Sequence, residues 1–349
     1  MNTQLSRWML LLCAALLILP ATAHATKYTA DFLTVGTGAR PLAMGGAFTA
    51  VGEDNNALFF NPGALAAMGG NSLSLMHSER FGGLVQVDNA GYHRAVNLYG
   101  RQASLGISVL RLGVDNITFT NDHPFNDLNG NGEFDGPEEL PDSIDPSYFS
   151  KESDQEWGIL GIYATQAGGW SIGGGIKIIY QSVGSFNSFG FGLDAGLLSP
   201  PLGHGLRAGL KIQDITGTYV AWNTGVSEFV APSLRPGLAW RHALGSLNAS
   251  VLLAGDLEIR FEEYGDAATW SSSFASVDPH LGGELWLLGT VALRLGLDRD
   301  NWTAGGGLRL AGRDGILPWN VFDDLSLDYG FGSHEVFDGS HRLGLSTRF

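Results

Sequence analysis

Cysteine is almost absent from this chain. Its one representative, Cys13, lies in an apolar leader, so the remainder has no disulfide, no thiol nucleophile and no cysteine metal site. An exported chain of this kind is stabilised by other means. Positive charge is scarce as well. Twenty Lys and Arg stand against 35 Asp and Glu, for a formal charge of −15. Loss of Arg7, the leader's only charged residue, takes −15 to −16. So acidic a chain excludes nucleic acid as a partner. The leader's apolar run, Trp8 to Leu19, is too short to span a bilayer comfortably as a helix. Pro20 breaks it and Ala23-His24-Ala25 supplies a small-x-small site. Residues 1–25 therefore read as a signal peptide cleaved after Ala25.

Patterns for catalysis are missing too. Gly169-Trp170-Ser171-Ile172-Gly173 has the spacing of a nucleophile elbow, but "GGIKIIYQS" continues as a strand where a helix is required. Gly190-x-Gly192-x-x-Ala195 also falls inside a strand, with no βαβ unit around it. The nine His are scattered. The chain reads as a non-enzyme.

Glycine, by contrast, is abundant. Fifty in 349 residues is roughly twice the usual share, and they follow no collagen period. After residue 70 the dominant period is two. Leu206, Ala208, Leu210 and Ile212 alternate with Arg207, Gly209, Lys211 and Gln213, and Val291 to Asp298 repeats the pattern. One face is apolar and the other polar or tiny, as in a strand between two different environments. Candidate strands cover approximately 71–78, 85–96, 103–113, 156–166, 170–182, 188–198, 205–214, 233–242, 247–258, 279–287, 290–297, 301–311, 322–331 and 339–349. Most are longer than the five or six residues usual in soluble proteins and suit a tilted bilayer crossing.

The connections supply an independent test. The second, fourth, sixth, eighth and tenth are short. The third (114–155), seventh (215–232) and ninth (259–278) are long, and 312–321 fits the alternation least. Short turns on one side and longer loops on the other mark an outer-membrane barrel. The last strand alternates and ends on Phe349, which resembles the signal read by the bacterial outer-membrane assembly machinery. The expected fold is all-β: a 14-stranded antiparallel transmembrane β-barrel over 71–349, in the bacterial outer membrane.

The polar face carries Lys177, Arg207, Lys211, Arg235, Arg241, Arg294, Arg309, Arg342 and Arg348, with Asp194, Asp256, Glu258, Glu284, Asp324 and Asp328. Charges facing lipid near the midplane would each cost about 2–4 kcal/mol, so these face the lumen. They form either a pathway for an anionic or amphipathic solute or a ladder of ion pairs packing the lumen against something inside. Gly106, Gly173, Gly175, Gly190, Gly192, Gly196, Gly209, Gly237, Gly282, Gly296, Gly305, Gly307, Gly330 and Gly344 share that face. Such glycines mark close approach of another backbone.

The segment 26–70 is the candidate for that backbone. Asn61-Pro62 reads as an N-cap and first helical position, with Gly69-Gly70 as the stop. Asp54 and Asn55 are placed to cap a turn over Ala57 to Phe60. Helices this short do not persist alone in water. Left in the periplasm, the segment would expose Phe48, Leu58, Phe59 and Phe60. It is expected to fold back as a plug of short helices inside the lumen, with Arg40 reaching an acidic wall residue.

"GARPLAMGGAFTAVGEDNNALFFNPGALA" resembles the N-terminal segment of the PorV/PorQ family. The matching elements are Arg40, Met44-Gly45-Gly46-Ala47, the acidic-Asn cluster at Asp54 and Phe60-Asn61-Pro62, with Gly63 where that family usually has Ala. The segment is similar, more distantly, to FadL channels, which share the Asn-Pro element. Both resemblances imply a 14-stranded barrel with an N-terminal plug. PorV/PorQ implies a surface component beside a secretion system that holds or passes exported cargo proteins. FadL implies a channel for hydrophobic small molecules, with a kinked early strand opening sideways to the bilayer.

In the third connection, "DLNGNGEFDGPE" (127–138) fits the calcium-loop pattern D-x-[DN]-x-[DN]-G-x5-E. Asp127, Asn129 and Asn131 would give side-chain oxygens, Glu133 its carbonyl, Asp135 a direct or water-mediated contact and Glu138 a bidentate carboxylate. The flanks are not helical, so an EF-hand proper is not expected. A structural Ca2+ and a plain acidic, solvated loop are the two readings.

Overall fold

The computed structural model describes residues 30–98, 100–120, 127–131, 133, 135–139, 149–312, 322–334 and 338–349. The leader lies outside these. Fourteen long strands form one closed antiparallel wall. In chain order they are β1 (Asn71–Arg80), β2 (Val85–Leu98), β3 (Arg101–Thr120), β4 (Phe149–Ala167), β5 (Trp170–Val183), β6 (Phe186–Leu198), β7 (Leu206–Gln213), β8 (Ser233–Leu244), β9 (Ala249–Arg260), β10 (Ser276–Leu287), β11 (Val291–Asp298), β12 (Asn301–Ala311), β13 (Asp324–Gly332) and β14 (Ser340–Arg348). Each pairs with its sequence neighbour, and β1 pairs with β14 from Ser72↔Arg348 to Glu79↔His341, which closes the sheet. Closure leaves no open edge in the bilayer, where an unpaired peptide group costs several kcal/mol.

Alternation sets the two faces. Leu281, Leu293, Leu295, Leu238 and Leu343 on the outer face are each more than half exposed. Apolar residues of this kind circle the wall, far beyond the patch a dissolved monomer tolerates. The molecule is thus built to sit in a membrane. Tight turns join the strands at one end. Gly168 (φ 59°) and Gly169 (φ 86°) form the two-residue hairpin between β4 and β5, a geometry whose twist matches that of the strands.

Three boundaries differ from the sequence expectation. β3 and β4 run well past 113 and 156, so much of the expected third loop is a paired ribbon reaching Thr120↔Phe149. Its residues are polar enough to lose the oily alternation. The ribbon also carries a register shift between Val114 and Ile117. The expected loop 215–232 is largely a hairpin, Thr218–Trp222 with Ser227–Val230, whose first strand pairs with the upper part of β6. β7 and this strand are one wall strand with a break. Ile212 faces Ala195 and Tyr219 faces Phe191: seven steps along one strand against four along the other, so three extra residues bulge out. Asp214 (φ 55°) and Gly217 (φ 73°) turn the chain there. A further short strand, Trp270–Ser271, lies within 259–278. Of the connection 312–321, all but Gly312 lies outside the described residues.

Candidate functional site

The lumen is filled by the chain's own leading segment. A 3-10 turn (Asp31–Val35), two short α-helices (α1, Ala39–Ala43, and α2, Ala57–Phe60) and a second 3-10 turn (Pro62–Ala67) fold inside the wall. Asn61 does cap the last of these: its Oδ1 accepts from Gly63 N at 3.0 Å. The turn it caps is 3-10 rather than α. α2 is capped differently from expectation. Asn56 holds the N-cap position without a side-chain cap, while Asp54 Oδ1 accepts from Asn56 N at 2.9 Å and its other oxygen is drawn to Arg40.

None of these helices would last alone; the wall holds them. Met44, Phe48, Leu58, Phe60 and Leu65 of the plug bury against Leu160, Ile162, Leu198 and Leu252 of the wall. Around this apolar centre the two backbones nearly touch. A Cβ on Gly173 would strike the Pro62 carbonyl, one on Gly209 the Thr49 carbonyl, one on Gly282 the Met44 carbonyl and one on Gly330 the Ala39 carbonyl. Gly45 (φ 61°) needs glycine on both counts, since its own Cβ would meet the Leu281 and Leu297 carbonyls. Gly190 and Gly192 are wall glycines of another kind, covered by Val220 and Thr218 of the hairpin rather than by the plug. Nearer the loop end, Ala30, Phe32 and Leu33 pack on Met76, Val87, Leu110 and Ile179, closing a second level of the lumen.

Polar groups fix the register. Arg40, 244 residues away in sequence, donates to Glu284 from Nε (2.7 Å) and Nη2 (2.6 Å). Its Nη1 donates to Asp54 at 2.8 Å, and Glu53 lies 3.3 Å from Nη2. Burial opposes its charge, yet Glu284, then Asp54 and Glu53, outweigh burial and raise its pKa well above the ordinary arginine value. Arg294 donates to Glu284 and Asp328, both at 2.7 Å. The result is a continuous buried chain of alternating charge from plug to wall. Asp256 accepts from Phe48 N (2.9 Å), Thr49 N (3.0 Å) and Thr49 Oγ1 (2.8 Å). Asn61 Nδ2 donates to Thr49 O and Leu197 O. Gly46 offers its carbonyl to Arg235 at 2.7 Å.

The remaining lumen residues divide into paired and unpaired. Lys177 pairs with Asp194 and Asp214, Arg241 with Glu53, Arg235 with Asp256 and Glu258, and Arg348 with Asp324. Arg342 has carbonyl partners instead, Val35 O at 2.6 Å and Gly36 O at 3.3 Å. Lys211 stands 4.6 Å over the Phe59 ring and Arg309 4.3 Å over Trp286. Neither they nor Arg207 has an ion pair among the described residues. Asp214, Glu53 and His280 were not singled out by sequence. Asp214 reads there as a strand end, and nothing local marks Glu53 or His280 as facing the plug. Phe349 closes the ladder by exchanging backbone hydrogen bonds with Asn71 at 3.0 Å.

In the loop 127–138, Asp127 Oδ1 accepts from Gly130 N and Asn131 N, and the Asn129 and Asn131 amides donate to Asp135. The Glu133 amide donates to Asn131 Oδ1. Glu139, not Glu138, turns into the loop to accept from Leu128 N and Asp135 N; Glu138 lies over Gly136. Gly132 and Phe134 lie outside the described residues. Among the described residues no group of three His, Cys, Asp or Glu side chains is set to hold a metal ion.

Cavities follow from this packing. Three internal ones measure only about 40, 60 and 30 Å3. A larger one of about 430 Å3 opens at the loop end. A closed wall, oily outside and plugged within, defines the class: a transmembrane β-barrel of the outer-membrane type. No family profile matches the chain, and no curated protein matches it in sequence. Solved structures similar to it include the deltaS2 mutant of the TodX monoaromatic hydrocarbon channel, at 13% identity over 89% of this chain and 97% of that one, TM-score 0.47. Omp33, an outer membrane protein of Acinetobacter baumannii, is 6% identical over 80% and 98%, TM-score 0.37. The KdgM porin is 9% identical over 80% and 99%, TM-score 0.30. At these identities the likeness is one of fold alone.

Proposed function

We propose that the protein works in the bacterial outer membrane with its plug in place, as a surface component on which exported proteins are held or passed. The resemblance of residues 38–66 to PorV/PorQ suggests this role, and the bolting of the plug by Arg40 is the observation that carries it. Moving the plug would leave Glu284 to Arg294 alone and take Arg40 from its carboxylates, and breaking one buried pair is worth about 3–5 kcal/mol. The internal cavities hold no more than a few waters. The working surface is then the loop end, with the β3–β4 ribbon and the 218–230 hairpin as contacts.

A cysteine pair tests this. The Ala39 Cβ lies 3.5 Å from a Cβ built on Gly344, within the span a disulfide bridges. Ala39→Cys with Gly344→Cys therefore ties plug to wall. Exported proteins should co-purify equally with the locked and free forms, and planar bilayers should show no plug-dependent conductance. Loss of function on locking would favour a FadL-like channel for hydrophobic solutes. The break in β7 at 214–217, with a small cavity behind it lined by Lys177, Asp214 and Thr218, is the feature that favours that second reading.

For residues 127–138 the proposed ligand is a structural Ca2+, with Asp127 and Asp135 as carboxylate ligands. Chelator should then speed proteolysis of the loop in the folded barrel. Equal cleavage with and without chelator leaves an acidic solvated loop.

A further inference from the structure

The loop-end cavity of about 430 Å3 has a size typical of small-molecule sites, and nothing in the plugged-barrel role requires it. Five aspartates, three arginines and His334 line it, with hydroxyl and amide side chains between. Several of these groups are committed elsewhere. Arg342 donates to the plug carbonyls, Arg299 donates to Ala267 O, and Asp298 pairs with His280. The side chains of Arg80, Asp300, Asn301 and Asp338 have no hydrogen bond or ion pair among the described residues, although both signs share one cavity. Arg80 instead lies over the Phe81 ring at 4.9 Å.

We infer that this cavity binds a short neutral saccharide. Opposite charges that stand apart each keep an open donor or acceptor. A hydroxyl both donates and accepts, so a polyol satisfies an aspartate and an arginine together. An anion would meet the majority of carboxylates, and a small cation would meet three guanidiniums. An apolar solute would desolvate charges without replacing their water. Val35 and Leu42 offer the apolar surface that the C–H face of a sugar ring covers.

Two sources present such a ligand at a cell surface, dissolved sugars and the carbohydrate of a glycolipid. The test uses the full-length barrel in a sugar-free amine-oxide detergent. One arm titrates glucose, galactose, maltose and lactose by calorimetry. The other offers a neutral galactolipid in nanodiscs. Saturable binding of a neutral sugar in either arm is expected. Arg80→Ala and Asp300→Asn should each weaken it about tenfold or more, and Arg80→Lys should restore part. Heat-dependent gel mobility certifies that each variant is folded. Binding should survive the plug lock, because the cavity lies on the loop side of it. The inference is overturned if no sugar binds in either arm, if glucuronate or glucosamine binds more tightly than glucose, or if folded Arg80→Ala binds as the parent does.

Discussion

Gly282 and Gly283 are neighbours on β10 and face opposite ways. A methyl on Gly282 would strike the Met44 carbonyl and come within 2.8 Å of the Met44 Cβ. Both are fixed by the plug backbone, which has nowhere to retreat. A methyl on Gly283 would lie 3.5 Å from Leu253 Cδ2 and 4.0 Å from Leu295 O, an ordinary contact in the lipid-facing surface. Overpacking a filled interior costs about 1–3 kcal/mol, whereas removing a glycine from a strand returns about 0.5–1 kcal/mol. With the strand gain subtracted, Gly282→Ala should destabilise by up to about 2.5 kcal/mol, and Gly283→Ala should leave stability unchanged or raise it slightly. Urea unfolding in micelles, followed by tryptophan fluorescence, reads the difference. Chymotrypsin supplies a second reading, because Phe48 is only 1% exposed and becomes cleavable only if the plug loosens. Equal effects of the two substitutions, or cleavage at Phe48 in neither, would refute a plug seated backbone to backbone on the glycine wall.

The charged contacts make further demands. Arg40→Met should cost about 3–5 kcal/mol because it breaks a buried ion pair and leaves Glu284 to Arg294 alone, and Arg40→Met with Glu284→Gln should cost less than the sum of the two single changes; melting temperatures in detergent decide, and a purely additive result counts against coupling. Asp256→Ala should cost about 1–3 kcal/mol by leaving buried amide donors without an acceptor, and hydrogen exchange at Phe48 and Thr49 should quicken selectively. Unchanged exchange at those two amides would mean that the carboxylate does not anchor the plug.

Much of the wall was legible because a bilayer-crossing strand must repeat oil and non-oil every two residues. β12, expected at 301–311, is Asn301–Ala311. The pattern fails where the strand leaves the membrane: "ITFT" and "FSKESD" pair in the ribbon, but both of their faces meet water and the alternation fades. The β7 break hid for a different reason. Asp214 to Gly217 has the composition of an ordinary turn, and only the later pairing of Thr218–Trp222 with β6 makes it a bulge in the wall. In the plug, the Asn61 cap is local and was readable. The partner of Arg40 lies 244 residues away, so sequence could expect an acidic wall residue and not choose Glu284. The wall glycines could be assigned to the inner face by period, but which of them meets the plug and which the hairpin depends on where the plug stops.

A barrel's width explains why plug, glycines and inner charges occur together. Eight strands leave an interior that side chains alone can fill, and 16 to 18 leave an aqueous channel. Fourteen fall between, too wide to pack from the wall and too narrow to ignore. A stretch of chain must enter, and it brings peptide groups as well as side chains into a space without bulk water. Glycine at the points of contact lets the two backbones come close enough to expel that water. Donors left over must then find acceptors, and carboxylates such as Asp256 and Glu284 supply them without the length of a paired strand. A plugged lumen accounts for the arginines that balance those carboxylates, Arg235 and Arg294, without calling on a conduit. On this reasoning the charge ladder belongs to the closed state, and neutralising Arg294 should loosen the plug before it alters any selectivity for solutes.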